Sequence, residues 1–174
     1  EARIFAVKAF TKLLIIPLII VYYVLETNQV NYLILFGLIL GWFGDLFLLK
    51  KDEKKLFVFG LISFMLDHVM FIAAFLLSVD FTKTFSVSVI VLVVVYACFL
   101  AAMLFKLKDS LGKFLIPVFV YSLILVLMSV AAFMVATSAN PSFGGNGWVL
   151  FVGSLLFLIS DSVLAYCKFV KKFS

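Results

Sequence analysis

The sequence predicts an all-α protein built as a bundle of membrane-spanning helices. Of its 174 residues 66% are hydrophobic and 13% are charged, and the mean hydropathy is +1.29, whereas soluble domains are about half apolar and a quarter charged. A transmembrane helix needs roughly 20 mainly apolar residues. Six runs are predicted to span, at 10–25, 30–49, 56–77, 85–105, 114–137 and 148–170. The connections are short, so we expect residues 1–174 to form a single transmembrane helical domain.

Basic residues mark one face of this bundle. They lie at the start of the first run, between the second and third, between the fourth and fifth, and at the end: Arg3, Lys8, Lys12, Lys50, Lys51, Lys54, Lys55, Lys106, Lys108, Lys113, Lys168, Lys171 and Lys172. Lys83 alone falls on the other face. The positive-inside rule therefore predicts a cytoplasmic basic face that carries both chain ends. This topology and anionic lipid headgroups explain the net charge of +5, and no nucleic-acid partner is expected.

Four ionisable side chains lie inside the apolar runs: Asp45, Asp67, His68 and Asp161. Such a side chain costs roughly 2.5–3.5 kcal/mol or more to place in hydrocarbon, so it is expected to face a bundle interior or wet cavity and to be functional. With a rise of about 1.5 Å per residue, Asp45 lies about 7 Å from the basic face and Asp161 about 10 Å. On the same scale Asp67 and His68 lie about 18 Å from it. All four fall in one half of the membrane.

Small residues at helical spacing predict the direction of these side chains, because such stripes mark faces where helices approach closely. Three stripes contain the acids: Gly37, Gly41 and Asp45; Gly60, Ser63, Asp67 and Ala74; and Gly153, Ser154, Asp161 and Ala165. His68 lies about 100° around the helix from Asp67, at the edge of its stripe. We expect Asp45, His68 and Asp161 to converge on one polar pocket open towards the basic face. The alternative is that these residues only join helices.

The remaining polar and aromatic residues are less specific. Tyr121 and Ser122, with Ser129 one heptad later, are candidates for a cavity lining, although Ser in membrane helices usually bonds its own i−4 carbonyl or a neighbour. Trp42 and Trp148 are typical of an interfacial belt or of packing. A metal site of one His and two Asp is stereochemically possible. One histidine and no cysteine pair at metal spacing nevertheless favour a site without a metal or other cofactor.

Four motifs follow one another along the chain: Gly-Trp-Phe-Gly-Asp at 41–45, Leu-Asp-His at 66–68, Pro117 with Tyr121 and Met128, and the run from Gly-Ser to Ser-Asp at 153–161. Together they resemble the lysoplasmalogenase (YhhN-like) family of integral membrane proteins. The resemblance runs from about Thr11 to the end. It implies hydrolysis of the vinyl ether bond of lysoplasmalogens, in a bundle usually of eight spans, of which this chain would hold six. The chain is therefore expected to be a piece of something longer.

The chain departs from the family pattern at three places. The Lys-Pro of the family appears as Lys12-Leu13, the Tyr three residues after the His is Phe71, and Asp67 replaces what is usually a small residue.

The chemistry of vinyl ether hydrolysis fits the four residues. A proton is transferred to the β carbon and water captures the resulting oxocarbenium ion, so the site needs a protonated carboxylic acid beside a carboxylate. Two carboxylates in one cavity divide into such a pair, which suits Asp45 and Asp161 in either order. His68 would orient water or relay the proton. Ser160 would form a hydrogen bond to the ionised acid, and Asp67 and Tyr121 would support the site. Binding of the substrate phosphate by Lys12 is a further hypothesis.

Two other functions remain open. Intramembrane Asp and His also form relays in proton-coupled carriers, although the sequence lacks the paired halves and interrupted helices of repeat-built carriers. A noncatalytic lipid-binding protein is the third possibility. The expected partners are a lysophospholipid substrate and membrane lipid. The expected location is the bacterial inner (cytoplasmic) membrane, as a multi-pass protein.

Overall fold

The computed structural model describes residues 2–49, 53–79, 81–84, 86–138 and 147–169. Within them every regular element is helical: α1 (Ala2–Glu26), α2 (Tyr32–Leu48), α3 (Lys54–Leu76), the short α4 (Phe81–Thr84), α5 (Val87–Leu111), a 3₁₀ turn (Gly112–Phe114), α6 (Leu115–Thr137) and α7 (Gly147–Phe169). The predicted all-α class is confirmed. Several of the basic residues used for the topology prediction, Lys50, Lys51, Lys171 and Lys172, and the side chains of Arg3, Lys8, Lys54 and Lys83 lie outside the described part.

The predicted count of six spans is not matched. By length and composition, three described stretches are long and apolar enough to cross a membrane: Lys55–Leu76, Val87–Thr137 and Gly147–Phe169. Helix α2 is apolar but shorter, with 17 residues. The 51-residue stretch Val87–Thr137 contains both α5 and α6, because the 3₁₀ turn between them keeps the chain helical. Gly112 opens that turn with φ +50°, a left-handed conformation that glycine adopts without steric cost.

Large apolar side chains cover the outside of these helices. Leu25, Leu77, Val87, Phe105 and Ile116 are each between 73% and 81% exposed. A water-soluble protein rarely presents contiguous apolar surface of this kind, whereas lipid-facing helices require it. The protein is thus an integral membrane protein.

The chain divides into two compact units, Glu1–Ala74 and Phe75–Ser174, and each is described by itself. In the first unit Asn31 caps α2: its side chain accepts a hydrogen bond from the Leu33 amide at 3.0 Å. The Asn31 amide in turn donates to the Tyr23 hydroxyl at 2.9 Å, which ties the end of α1 to the start of α2.

A proline within α1 is compensated by a tryptophan of α2. Pro17 lies inside α1, and since proline has no N–H it cannot donate to the carbonyl of Leu13 four residues earlier. The Trp42 indole N–H donates to that same carbonyl at 2.9 Å. The polar atom of Trp42 therefore joins α2 to α1, a contact that the sequence does not predict.

Glycines set the contact between α2 and α3. A Cβ on Gly44 would lie 2.7 Å from the Phe64 ring, one on Gly37 2.9 Å from the Phe71 ring, and one on Gly60 3.0 Å from Leu48. The Ser63 hydroxyl also donates to the Leu40 carbonyl at 2.6 Å. The helices thus approach as closely as the predicted small-residue stripes required.

In the second unit α6 and α7 form an antiparallel pair along their whole length. Gly147 sits against the Ala136 backbone, Phe133 packs on Phe151 and Trp148, Ser129 bonds Ser154, and Phe114 packs on Phe169. Helix α6 is the most buried helix of this unit because α5 packs on it as well. The predicted stripe on the last run is only partly correct: Ser154 is buried, but Gly153 is exposed and has no atom within 4 Å of its Cβ position.

Candidate active-site residues

Asp45 lies near the end of α2 and forms an ion pair with α1. Its carboxylate is 2.7 Å from the Lys12 ammonium, with the aspartate side chain 14% exposed and the lysine side chain 50% exposed. The preceding glycines, Gly37 and Gly41, turn towards α3. Asp45 thus points into the unit, as predicted, but its partner is the lysine that we expected to bind a substrate phosphate.

Asp67 and His68 form a buried pair in α3. The Asp67 Oδ2 atom is 3.4 Å from His68 Nδ1, and the side chains are 5% and 1% exposed. His68 is among the most completely buried large side chains in the described part of the protein. Both carboxylate oxygens of Asp67 face glycines of α2: Oδ2 is 3.0 Å from the Cβ position of Gly41, and Oδ1 is 3.2 Å from that of Gly37.

Asp161 lies on the face of α7 that packs against α6. The buried Tyr121 donates its phenolic hydrogen to Asp161 Oδ2. A phenol can hold one carboxyl oxygen while leaving the other for chemistry. Of the neighbouring serines, Ser160 is exposed, and Ser162 donates to the carbonyl of Leu158, four residues earlier in its own helix.

The predicted catalytic residues are distributed over both units. Asp45 and His68 belong to the first unit and Asp161 to the second. Their convergence on one pocket stays a prediction. Within its own unit each residue has a polar neighbour: Lys12 for Asp45, Asp67 for His68 and Tyr121 for Asp161.

One polar cluster was not foreseen from the sequence. The Tyr96 hydroxyl of α5 is 2.6 Å from the Ser129 hydroxyl of α6, which is 2.8 Å from the Ser154 hydroxyl of α7. Ser154 also donates to the Phe151 carbonyl at 2.7 Å. A hydroxyl has a single hydrogen, so Ser129 donates to Ser154 and Tyr96 donates to Ser129. The sequence places Ser154 on a small-residue stripe and makes Ser129 a candidate for a cavity lining, but no pattern identifies Tyr96 as their partner.

Two further observations bear on the chemistry of the site. Across the described residues, no three His, Cys, Asp or Glu side chains are grouped so that they could hold a metal ion. Ser122, a candidate for lining a cavity, donates to the Val118 carbonyl of its own helix at 2.8 Å.

Comparison with known proteins places the chain in a family. No match was found among curated proteins or among solved structures. The model of the YhhN family matches residues 7–174, a range that includes α2, α3, α6 and α7 and the candidate residues Lys12, Asp45, Asp67, His68 and Asp161. The protein therefore belongs to the YhhN family, the lysoplasmalogenase-like family that its motifs resemble.

Proposed function

We propose that the protein hydrolyses the vinyl ether bond of lysoplasmalogens, releasing a fatty aldehyde and a glycerophosphocholine or glycerophosphoethanolamine. The observation that carries this proposal is the family match over residues 7–174. It is supported by two of the three intramembrane acids, each held by a polar partner: Asp45 by the Lys12 ammonium and Asp161 by the Tyr121 hydroxyl. Acids held in this way in apolar helices are expensive and are usually functional.

The contacts favour one division of roles between the acids. Asp45 is ion-paired with Lys12 at 2.7 Å, so we assign Asp45 to the carboxylate that stabilises the oxocarbenium ion. Asp161 is then the proton donor, and the Tyr121 hydroxyl fixes its orientation by holding Oδ2. This division requires Asp45 and Asp161 to face one cavity, and it makes Tyr121 a positioning residue.

The proposed reaction adds one water molecule to the substrate. Asp161 transfers its proton to the β carbon of the vinyl ether, and the positive charge spreads over the α carbon and the ether oxygen. Water, oriented by His68, adds to the α carbon and gives one proton to His68, which relays it to the Asp161 carboxylate, so that a hemiacetal forms and the acid is restored. The bond between the former α carbon and the glycerol oxygen then breaks, and the hydroxyl hydrogen of the hemiacetal moves to the glycerol oxygen, which yields the aldehyde and the free glycerol hydroxyl.

The location of the acids suits a lysophospholipid. The vinyl ether of such a lipid begins just below the glycerol, so a headgroup at the basic face would place the bond several ångströms inside the hydrocarbon. Lys12 is half exposed, so it can meet a phosphate while it remains beside Asp45. We further propose that the basic face is cytoplasmic and that the membrane is the bacterial inner membrane.

Aldehyde release from lysoplasmenylcholine by the purified protein in detergent tests the proposal. The matched control is the saturated alkyl-ether analogue, which cannot be protonated on carbon and should yield no aldehyde. We expect a marked solvent deuterium isotope effect, because the slow step transfers a proton to carbon, and no loss of activity with a chelator. Absence of aldehyde release would refute the hydrolase, and proton flux driven by a lipid or solute gradient in vesicles would then support a carrier.

A further inference from the structure

Asp67 and His68 are adjacent in α3, yet their side chains lie close together, which the geometry of an α-helix does not by itself explain. Adjacent residues of an α-helix diverge by about 100° and do not normally face each other. Here Asp67 Oδ2 nevertheless lies 3.4 Å from His68 Nδ1, and both side chains are at least 95% buried. Two ionisable groups this deep in a membrane helix are costly unless they compensate each other.

Two glycines of α2 hold the Asp67 carboxylate in this direction. The Cβ positions of Gly41 and Gly37 lie 3.0 Å and 3.2 Å from its two oxygens. Side chains at these positions would occupy the space in which the carboxylate lies, because contacts shorter than about 3.4 Å are closer than ordinary van der Waals contacts. The glycines therefore form a seat for the carboxylate, and we call Gly37 and Gly41 the glycine seat.

We propose that Asp67, held in the glycine seat, is a positioning residue that keeps His68 in the tautomer protonated on Nδ1. The negative charge of a carboxylate 3.4 Å from Nδ1 attracts a hydrogen on that nitrogen and so stabilises the tautomer in which Nε2 is the proton acceptor. Its catalytic consequence, a His68 whose Nε2 is ready to take a proton from water, rests on the proposed function, whereas the tautomer itself does not.

The chain offers a direct measurement because His68 is its only histidine. Protein labelled with ¹⁵N-histidine gives one imidazole, and its two nitrogen resonances distinguish the protonated from the unprotonated nitrogen. We expect the neutral imidazole of wild-type protein in detergent to carry its hydrogen on Nδ1 and none on Nε2. Asp67→Ala removes the negative charge beside Nδ1, so the Nε2–H tautomer, which free imidazole side chains favour, should become the major form.

Two glycine variants separate positioning from packing. Gly41→Ala would press a methyl group on the Asp67 carboxylate and should shift the His68 resonances in the direction of Asp67→Ala. Gly60→Ala, at the same helix contact, would meet a Leu48 methyl at the same 3.0 Å separation and should leave the resonances unchanged. Equal shifts in the two variants would indicate a packing effect and overturn the proposal. An unchanged tautomer in Asp67→Ala would overturn it too.

Activity provides a separate readout. Aldehyde release should fall less in Asp67→Ala than in His68→Ala, because a positioning residue acts through the histidine. If wild-type protein releases no aldehyde but shows the Nδ1–H tautomer and its loss in Asp67→Ala, the hydrolase fails and the assignment of Asp67 stands. If aldehyde is released but the tautomer is the same in both proteins, the hydrolase stands and the assignment of Asp67 fails.

Discussion

The two units join their helices by different chemistry. In the first, α2 meets its neighbours through ionisable groups and glycines: Asp45 pairs with Lys12, and Asp67 lies in the glycine seat beside His68. In the second, the three long helices meet through neutral hydroxyls, with Tyr96, Ser129 and Ser154 in a chain that closes on a backbone carbonyl. Both devices satisfy polar groups inside apolar helices, but the hydroxyl chain contains no carboxylate, lysine or imidazole.

This difference indicates how the protein separates stability from chemistry. A chain of hydroxyls with every hydrogen assigned holds helices in register and offers no acid or base near neutral pH. Carboxylates and an imidazole cost more to bury, so they are kept where a glycine, a lysine or a phenol can support them. Asp161 is the exception in the second unit, and it lies at one side of the hydroxyl chain, two helical turns beyond Ser154.

The largest expected effect is on catalysis, and it tests whether the acids of the two units work together. Asp45→Asn and Asp161→Asn should each lower kcat for lysoplasmenylcholine by about 10²–10⁴-fold, the usual contribution of a general acid or base. The amide keeps the shape of the side chain but cannot transfer the proton or carry the charge. Asp109→Asn, at an exposed acid of α5, is the control and should remain fully active. Near wild-type turnover by both variants would exclude the carboxylate mechanism.

Substitution of a packed glycine of the first unit should lower stability more than substitution of the exposed Gly153 of the second unit. Gly44→Ala would place a methyl group within 2.7–2.9 Å of the Phe64 ring and should cost about 1–3 kcal/mol, the usual range for overpacking. Gly153→Ala meets no atom within 4 Å and should be neutral or slightly stabilising. Thermal unfolding in one detergent compares them, and equal midpoints would contradict the close helix contact.

The hydroxyl chain provides the corresponding test in the second unit. Ser129→Ala removes the central hydroxyl, so the buried Tyr96 and Ser154 hydroxyls each lose one hydrogen bond. We expect the free energy of unfolding to fall by about 1–2 kcal/mol. Ser122→Ala, on the same helix, removes a hydroxyl that bonds only its own helix in the structure, and its effect should be smaller. Denaturant titration measures both, and a Ser122→Ala variant as unstable as Ser129→Ala would argue against the hydroxyl chain as a stabilising element.

The smallest expected effect concerns the ion pair at the edge of the first unit. Lys12 is half exposed, so its pair with Asp45 should contribute only about 0.2–1 kcal/mol to stability, as exposed ion pairs do. A double-mutant cycle of Lys12→Gln and Asp45→Asn measures this coupling. A coupling energy well above that range would mean that the pair is more deeply desolvated than its exposure indicates.

Much of the architecture follows from hydropathy, but the partners of the polar residues do not. The apolar runs predict the helices, and the glycines at 37 and 41 predict a close approach, because both depend on local composition. The Tyr121 contact with Asp161 was foreseen only as general support. Tyr96 could not be assigned, since a tyrosine in an apolar run fits lipid, core and hydrogen-bonding positions equally well until the neighbouring helices are placed. The predicted span count is not matched because α2 has only 17 residues and because a 3₁₀ turn joins α5 to α6 in one helical stretch.

The hydrogen bond from Trp42 to the Leu13 carbonyl makes the residues at positions 17 and 42 depend on each other in evolution. Without Pro17 the amide at that position would compete with the indole for the carbonyl, and without Trp42 the proline would leave the carbonyl to find another donor in an apolar setting. Neither residue can therefore change first at no cost. We expect related chains to keep both residues or to have lost both, and a chain that carries the proline with a phenylalanine in place of the tryptophan should show a second donor, such as a serine or threonine, close to the same turn of α1.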